Sequence, residues 1–298
     1  MGSPSSSFAN QKQLQIKIVL SAGKTFANGT NTLIFSELRV SVSIDMGGTF
    51  MGGNMQCRIF GLSQSDMTQL TYFAWMQQPQ LGPPATIYVT AIDGQRSTLV
   101  FQGTINQAYA NYQAMPEVFL DIQASATLAA QLTPVTPLSL ASNTTVTTVM
   151  GQLAKQMGFE FENNGVNTTI PKGTYLGNTA FFQAQTLMLA YNFDMYIDRG
   201  ILAICPAGAS RKYPVLPLVS ASTGMIGYPA FNMYGILIDT YFNPDIIAGA
   251  NISVQSEITV ASGVWNVHNI SHTLESIIPG GRWQSTLNCF ATKVGGGS

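Results

Sequence analysis

Through much of this chain apolar and polar residues alternate one by one in short runs, and a period of two leaves little choice. Each run reads as a β-strand that buries one face and exposes the other. Leu14, Ile16, Ile18 and Leu20 share one side of the first run, and mostly polar residues take the other. Similar runs cover 38–44, 55–60, 86–92, 98–105 and 118–124, separated by Gly-rich or Asp-Gly turns such as Asp93-Gly94. The stretch from Ser63 to Trp75 breaks the alternation. There Met67, Leu70, Tyr72 and Phe73 recur near helical spacing, and Ser63 or Ser65 is placed to cap the start, so one short helix is expected within a sheet-rich domain.

Near 125–137 the alternation stops and Pro134 and Pro137 mark a change of domain. Val146, Val149, Met150, Leu153 and Met157 then form a helical stripe ending at Gly158, and Phe181 to Tyr191 carries a second one within a helix expected over 180–191. A hairpin is expected from 194–197 and 202–205, joined by Asp198-Arg199-Gly200. Beyond Pro206 the pattern is helix-poor again, with strands expected over 236–241, 251–255, 264–270 and 285–291. Gly249 is read as a reversal that joins the strand before Phe242-Asn243-Pro244 to the next in a hairpin-like connection, and Pro279-Gly280-Gly281 as another turn. The fold class is therefore α+β, mainly β. The expected domains are 1–128, sheet-rich with one short helix; 129–207, small and mixed α+β; and 208–298, sheet-rich. No period of 20 to 50 residues argues for a solenoid or propeller.

Charged residues are only 9% of the chain, against roughly 25% in ordinary soluble domains. Charge normally keeps monomers soluble and strand edges apart, so a charge-poor, 46% hydrophobic chain is expected to cover surface in an assembly. Thirteen basic and fourteen acidic residues leave a net charge of −1 with no Lys/Arg run, which argues against specific nucleic-acid binding. The Ser-rich start lacks the pattern of a secretory signal and no apolar run reaches membrane-spanning length. No membrane insertion is expected, and the product is expected to stay in the cytosol until assembly. The tail from Val294 to Ser298 is read as disordered.

Candidate chemistry is sparse. Cys57, Cys205 and Cys289 are odd in number and far apart, fitting buried thiols better than a disulfide framework or zinc site. His268 and His272 have the i, i+4 spacing of a metal pair, but Asn269 follows the first where a zinc protease carries its general base. They are read as polar side chains decorating a strand. Asp194 with Asp198, and Glu160 with Glu162, are possible carboxylate pairs for glycoside hydrolysis. A turn role for Asp198 and a solvated outward face for the two glutamates are favoured. Trp75, Trp265 and Trp283 are read as packing residues rather than stacking platforms. Five Asn-x-Ser/Thr sequons, from Asn28 to Asn269, are taken as chance. The expectation is no catalytic, cofactor-binding or metal residues, and no enzyme activity.

Four segments carry a family resemblance, in order: CRIFGLSQSDMTQLT from Cys57 to Thr71, STGMIGYPAF from Ser222 to Phe231, FNPDIIAGANISVQS from Phe242 to Ser256, and HNISHTLESIIPGGRW from His268 to Trp283. Together they resemble the baseplate hub proteins of tailed bacteriophages. The resemblance implies that the two outer domains are tail-tube-like antiparallel β-barrels. It implies a homotrimer in the virion's tail baseplate that adapts a hexameric tail tube to a trimeric spike and helps form the central channel. Implied partners are the tail-tube or tube-initiating protein, the spike or cell-puncturing protein, and other baseplate proteins. Another tail component, distal or tube-terminating, is the alternative, followed by a tail-associated lytic enzyme or a host-glycan binder.

Overall fold

Alternation predicts strands, and strands dominate the computed structural model, which describes residues 12–21, 23–47, 52–73, 85–94, 96–113 and 115–291. In chain order the first elements are β1 (Lys12–Val19), β2 (Thr32–Phe35), β3 (Val40–Met46), β4 (Asn54–Phe60), α1 (Gln64–Leu70), β5 (Tyr72–Phe73), β6 (Thr86–Asp93), β7 (Arg96–Asn111) and β8 (Phe119–Ser125). There follow α2 (Leu128–Leu132), β9 (Leu138–Ser139), β10 (Thr144–Thr145), α3 (Val146–Met157), β11 (Glu160–Asn163), β12 (Thr169–Ile170), β13 (Tyr175–Leu176) and α4 (Ala180–Tyr191). The last are β14 (Phe193–Asp198), β15 (Ile201–Pro206), β16 (Leu218–Ser220), β17 (Met225–Phe231), β18 (Gly235–Tyr241), β19 (Asn251–Gln255), β20 (Gly263–Ser276) and β21 (Trp283–Ala291). This is a mainly β, α+β fold. The expectations for the Ser-rich start, Trp75 and the tail from Val294 fall outside the described residues.

The chain divides into two compact units, one drawn from 1–44, 54–125 and 272–284, the other from 45–53, 126–271 and 285–298. In the first, the strand order is the 272–276 end of β20, then β3, β4, β8, β7, β6, β1 and β2, with β5 beside β7. Its inward residues are those that alternation selects: Leu14, Ile16, Ile18, Val42, Ile44, Cys57, Ile59, Ile87, Val89 and Ile122 are all essentially inaccessible. Burying such side chains contributes about 1.5 to 3 kcal/mol each. Ser63 caps α1 by accepting from the Asp66 N–H at 3.1 Å. The helix ends at Leu70, five residues short of Trp75, because Thr71 is already extended and leads into β5, which pairs with β7.

The second unit holds two main strand systems, besides the two-stranded pairs β10–β12 and β9–β13. In the smaller, β11, β15 and β14 lie side by side, with β11 parallel to β15 and β14 antiparallel to it. Thr145 caps the start of α3, its hydroxyl accepting from the Thr148 N–H, and the helix stops at left-handed Gly158 as predicted. In the larger system the order is β16, β19, β20, β21, β18, β17. The sequence suggests a hairpin-like link from β18 to β19, and this is corrected: β19 pairs with β16 and β20, while β18 lies between β17 and β21. The two edge strands β16 and β17 are consecutive in the chain, joined only by residues 221–224.

The hairpin β14–β15 belongs to two cores at once. Phe193, Met195, Ile197, Leu202 and Ile204 pack with α3 and α4, whereas Tyr196, Ala203 and Cys205 pack with Val219, Ile236, Ile252 and Leu287. A strand buried on both faces loses its alternation and reads as a continuous apolar run, which is how Ile201 to Cys205 reads.

Candidate functional site

The residues weighed as carboxylate pairs lie on one face of the small sheet. Even-numbered positions of β14 and β11 share the side of Tyr196, so Asp194, Asp198 and Glu162 all point to the second core. Facing them is Arg211, itself only 5% exposed. Its Nε donates to Glu162 Oε1 at 3.1 Å and its Nη2 to Glu162 Oε2 at 2.8 Å, the two-pronged geometry that a guanidinium presents to a carboxylate. Asp198 Oδ2 lies 3.9 Å from Nη1, which also donates to the Ala248 carbonyl at 3.2 Å. Asn164 completes the cluster, donating to Glu162 Oε1 at 2.8 Å and accepting from the Lys212 N–H at 2.7 Å.

This cluster grips a loop. Arg199 Nη1 donates to the Pro244 carbonyl at 2.9 Å and Nη2 to that of Ile246 at 3.4 Å, so the carbonyls of residues 244, 246 and 248 all accept from buried or half-buried arginines. Asn266 Nδ2 and the Arg211 N–H both donate to the Gly249 carbonyl, at 2.8 and 2.7 Å. Gly249 itself has a φ of +82°, and a Cβ there would stand 2.8 Å from the Tyr196 ring. Arg199 is held in the left-handed region (φ 52°) beside Gly200 (φ 84°), a two-residue turn of the type that favours tight hairpins. The loop is one residue shorter than predicted, since Asp198 belongs to β14.

Electrostatics fix the roles. Burial pushes the Glu162 carboxyl up, but hydrogen bonds from Arg211 and Asn164 outweigh it and hold Glu162 below the usual range. Glu162 is thus an ionised counter-charge, not the raised acid that glycoside hydrolysis requires. The solvated role expected for it is corrected accordingly, while Glu160 is exposed as expected. Asp194 accepts from the Gly208 N–H at 2.8 Å.

The other candidates separate. Along β20 the burial pattern slips by one between Val267 and Ile270, so His268 stays half-exposed, stacked on Phe290 at 4.3 Å, while His272 is buried. The spacing that gives a shared face on a regular strand therefore does not do so here, and His272 does not decorate a surface. Among the described residues no three His, Cys, Asp or Glu side chains form a group able to hold a metal. All three cysteines are buried and free, and burial pushes Cys205 and Cys289 up to about 12. Trp265 is half-buried and donates to the Ala261 carbonyl, and Trp283 is buried.

Sequence reasoning passed over the exposed aromatic and Met side chains of the β17–β18 hairpin. Tyr228, Phe231, Met233, Tyr234 and Tyr241 are each more than half exposed there. β17 is also a sheet edge, with its pairing to β18 broken between Ile226 and Ala230. Gly227 and Pro229 interrupt the alternation that would have marked the strand.

Compared with known families, residues 15–277 match the model described as Baseplate hub gp41. No curated protein matches the chain. Among solved structures the fold is similar to a tail protein from Neisseria meningitidis MC58, with TM-score 0.60 and 10% identity over 93% of this chain and 96% of that one. It is also similar to the 43 kDa tail protein of prophage MuSo2 from Shewanella oneidensis, with TM-score 0.56 and 13% identity over 95% of this chain and 97% of that one. A third is an E. coli component of the type VI secretion system that resembles T4 tail proteins, with TM-score 0.53 and 8% identity over 92% of this chain and 76% of that one. At such identities the likeness is one of fold.

Proposed function

Because the chain belongs to the baseplate hub gp41 family, and is thus a structural protein of a phage tail, we propose that it is the adaptor between a hexameric tail tube and a trimeric spike. In this reading three copies form a ring, and residues 1–128 and 208–298 of each act as two tube-like β domains. A three-fold ring then presents a six-fold-looking face to the tube and a three-fold face to the spike. Residues 129–207 are the mixed module. The protein bonds to its neighbours, contributes to the central channel and carries no chemistry of its own.

The observation that carries the proposal is that each compact unit has a large, mainly antiparallel strand system, the second unit carrying the small mixed sheet besides. Their end strands favour assembly over solitude: β17 ends on Phe231, which is 55% exposed, and β2 bears Ile34, which is 57% exposed. Apolar edges of this kind invite pairing unless a neighbour covers them. The immediate succession of edge strands β16 and β17 also favours a sheet curled toward barrel closure. A neutral, charge-poor chain suits a channel through which DNA passes without being gripped. Assembly in the bacterial cytosol before incorporation into the virion follows from the same reading.

Light scattering on the purified chain, alone and with its tail-tube and spike neighbours, tests the proposal. A trimer, alone or on adding spike, is expected. A chain that stays monomeric with both partners would sink the adaptor role.

A further inference from the structure

On the second unit a groove of ≈ 580 Å³ lies between the first half of β17 and the chain that follows β19. Met225, Gly227 and Tyr228 line one part, and Gln255, Ser256 and Glu257 another, with Ser220 and Ser222 beside them. The volume falls in the range of small-molecule sites. Its chemistry is selective. Among the described residues no Lys, Arg or His lines the groove, so it offers no cationic side chain to hold a phosphate or an acidic ligand.

What it does have is one fixed aromatic ring among uncharged hydrogen-bonding groups and a single carboxylate, Glu257. Tyr228 is 64% exposed, yet its hydroxyl donates to Glu257 Oε2 at 3.0 Å, which steadies the ring while leaving it accessible. Gly227, at φ +69°, has nothing within 4 Å of where a Cβ would stand, so the space beside the ring stays open. The Gln255 side chain has no hydrogen-bond partner among the described residues, Glu257 Oε1 has none either, and the Ser222 hydroxyl meets only that of Ser220, at 3.0 Å. An amide, a carboxylate oxygen and a hydroxyl therefore offer both donors and acceptors around an apolar platform.

That combination matches a sugar, which has an apolar C–H face and a rim of hydroxyls that both donate and accept. It matches an extended peptide poorly. Strand addition needs a regular row of backbone donors and acceptors, whereas β17 is irregular between Ile226 and Ala230, and Pro229 has no N–H to offer. We propose that this groove binds a neutral oligosaccharide, with Tyr228 as the stacking platform and Gln255 and Glu257 reading its hydroxyls.

Saturation-transfer NMR on the full chain tests this, with maltotriose, cellotriose and tri-N-acetylchitotriose as neutral probes and a Gly-Ser peptide of similar length as comparison. Transfer to at least one sugar is expected, reduced at least fivefold by Tyr228→Ala and retained in large part by Tyr228→Phe, which keeps the ring. Thermal melts of both variants serve as the folding check, since Tyr228 is exposed and its loss should leave the melt unchanged. Absence of transfer from all three sugars would overturn the proposal, as would transfer insensitive to Tyr228→Ala or confined to the peptide. The adaptor role stands or falls separately: a trimer without sugar binding defeats only the groove, and a sugar-binding chain that never assembles defeats only the adaptor.

Discussion

Arg211 and Glu162, 49 residues apart, meet in a two-pronged ion pair whose cation is almost wholly buried. Charge in such a place is stable only while matched, because an unpaired buried charge has lost its water without a replacement. Arg211→Met leaves Glu162 without its cation, while Asp198 keeps Arg199 at 3.5 Å, and is expected to destabilise the second unit by about 3 to 5 kcal/mol. Arg211→Lys keeps the charge but loses the fork, and is expected to recover less than half of that. Urea denaturation followed by tryptophan fluorescence checks both, and a Lys variant as stable as the parent would show that charge alone suffices.

Acid should act through the same pair. The folded Glu162 carboxyl lies below its ordinary value of 4.5, so its stabilising contribution is complete at neutral pH and disappears as pH falls from there through the folded value. Burial likewise lowers His268 below its ordinary 6.5, and its contribution is lost as pH drops beneath that value. The melting temperature is therefore expected to fall in two stages on acidification, with Glu162→Gln flattening the lower one. A lower stage unchanged in that variant would place the titration elsewhere.

Gly249 sits where a side chain has no room, with the Tyr196 ring at 2.8 Å and Arg211 Cδ at 3.0 Å from a would-be Cβ, and with a left-handed φ. Gly249→Ala is expected to cost about 2 to 4 kcal/mol, combining backbone strain with displacement of the clamp. Thermal denaturation measures it. A loss below about 0.5 kcal/mol would mean that the loop simply relaxes.

Ile277 makes the opposite case. It is β-branched, half exposed, and held at φ 56°, a region that branched side chains avoid. Asn tolerates that conformation, so Ile277→Asn is expected to raise stability by about 1 kcal/mol. A lowered melting temperature would show instead that the Ile277 side chain has a packing role.

If neighbours cover the β17 edge, charge placed there should disrupt assembly and spare the fold. Phe231→Lys is expected to leave the circular dichroism spectrum and melt within about 0.5 kcal/mol of the parent while weakening association at least tenfold in sedimentation experiments. Unchanged association would remove this edge from the interface.

Strands with one wet face were legible from sequence because the signal is local: Leu14, Ile16 and Ile18 announce their own burial. The helices α3 and α4 were legible for the same reason, their stripes ending at Gly158 and Asn192, both left-handed. What escaped depended on partners distant in the chain. Nothing near Glu162 points to Arg211, and Gly249 reads as a hairpin turn until β19 is seen to pair with β20. His272 reads as a surface residue because a slip in the pleat of β20 leaves no mark in the spacing of its side chains.

The hairpin with one face in each of two cores couples the stability of those cores. Melting one is expected to destabilise the other, because it exposes Ile197 and Leu202 on the very strands whose reverse faces, Tyr196 and Ala203, the other needs. A unit wired in this way is expected to yield in a single step, with strain on either core passed through the hairpin to the other.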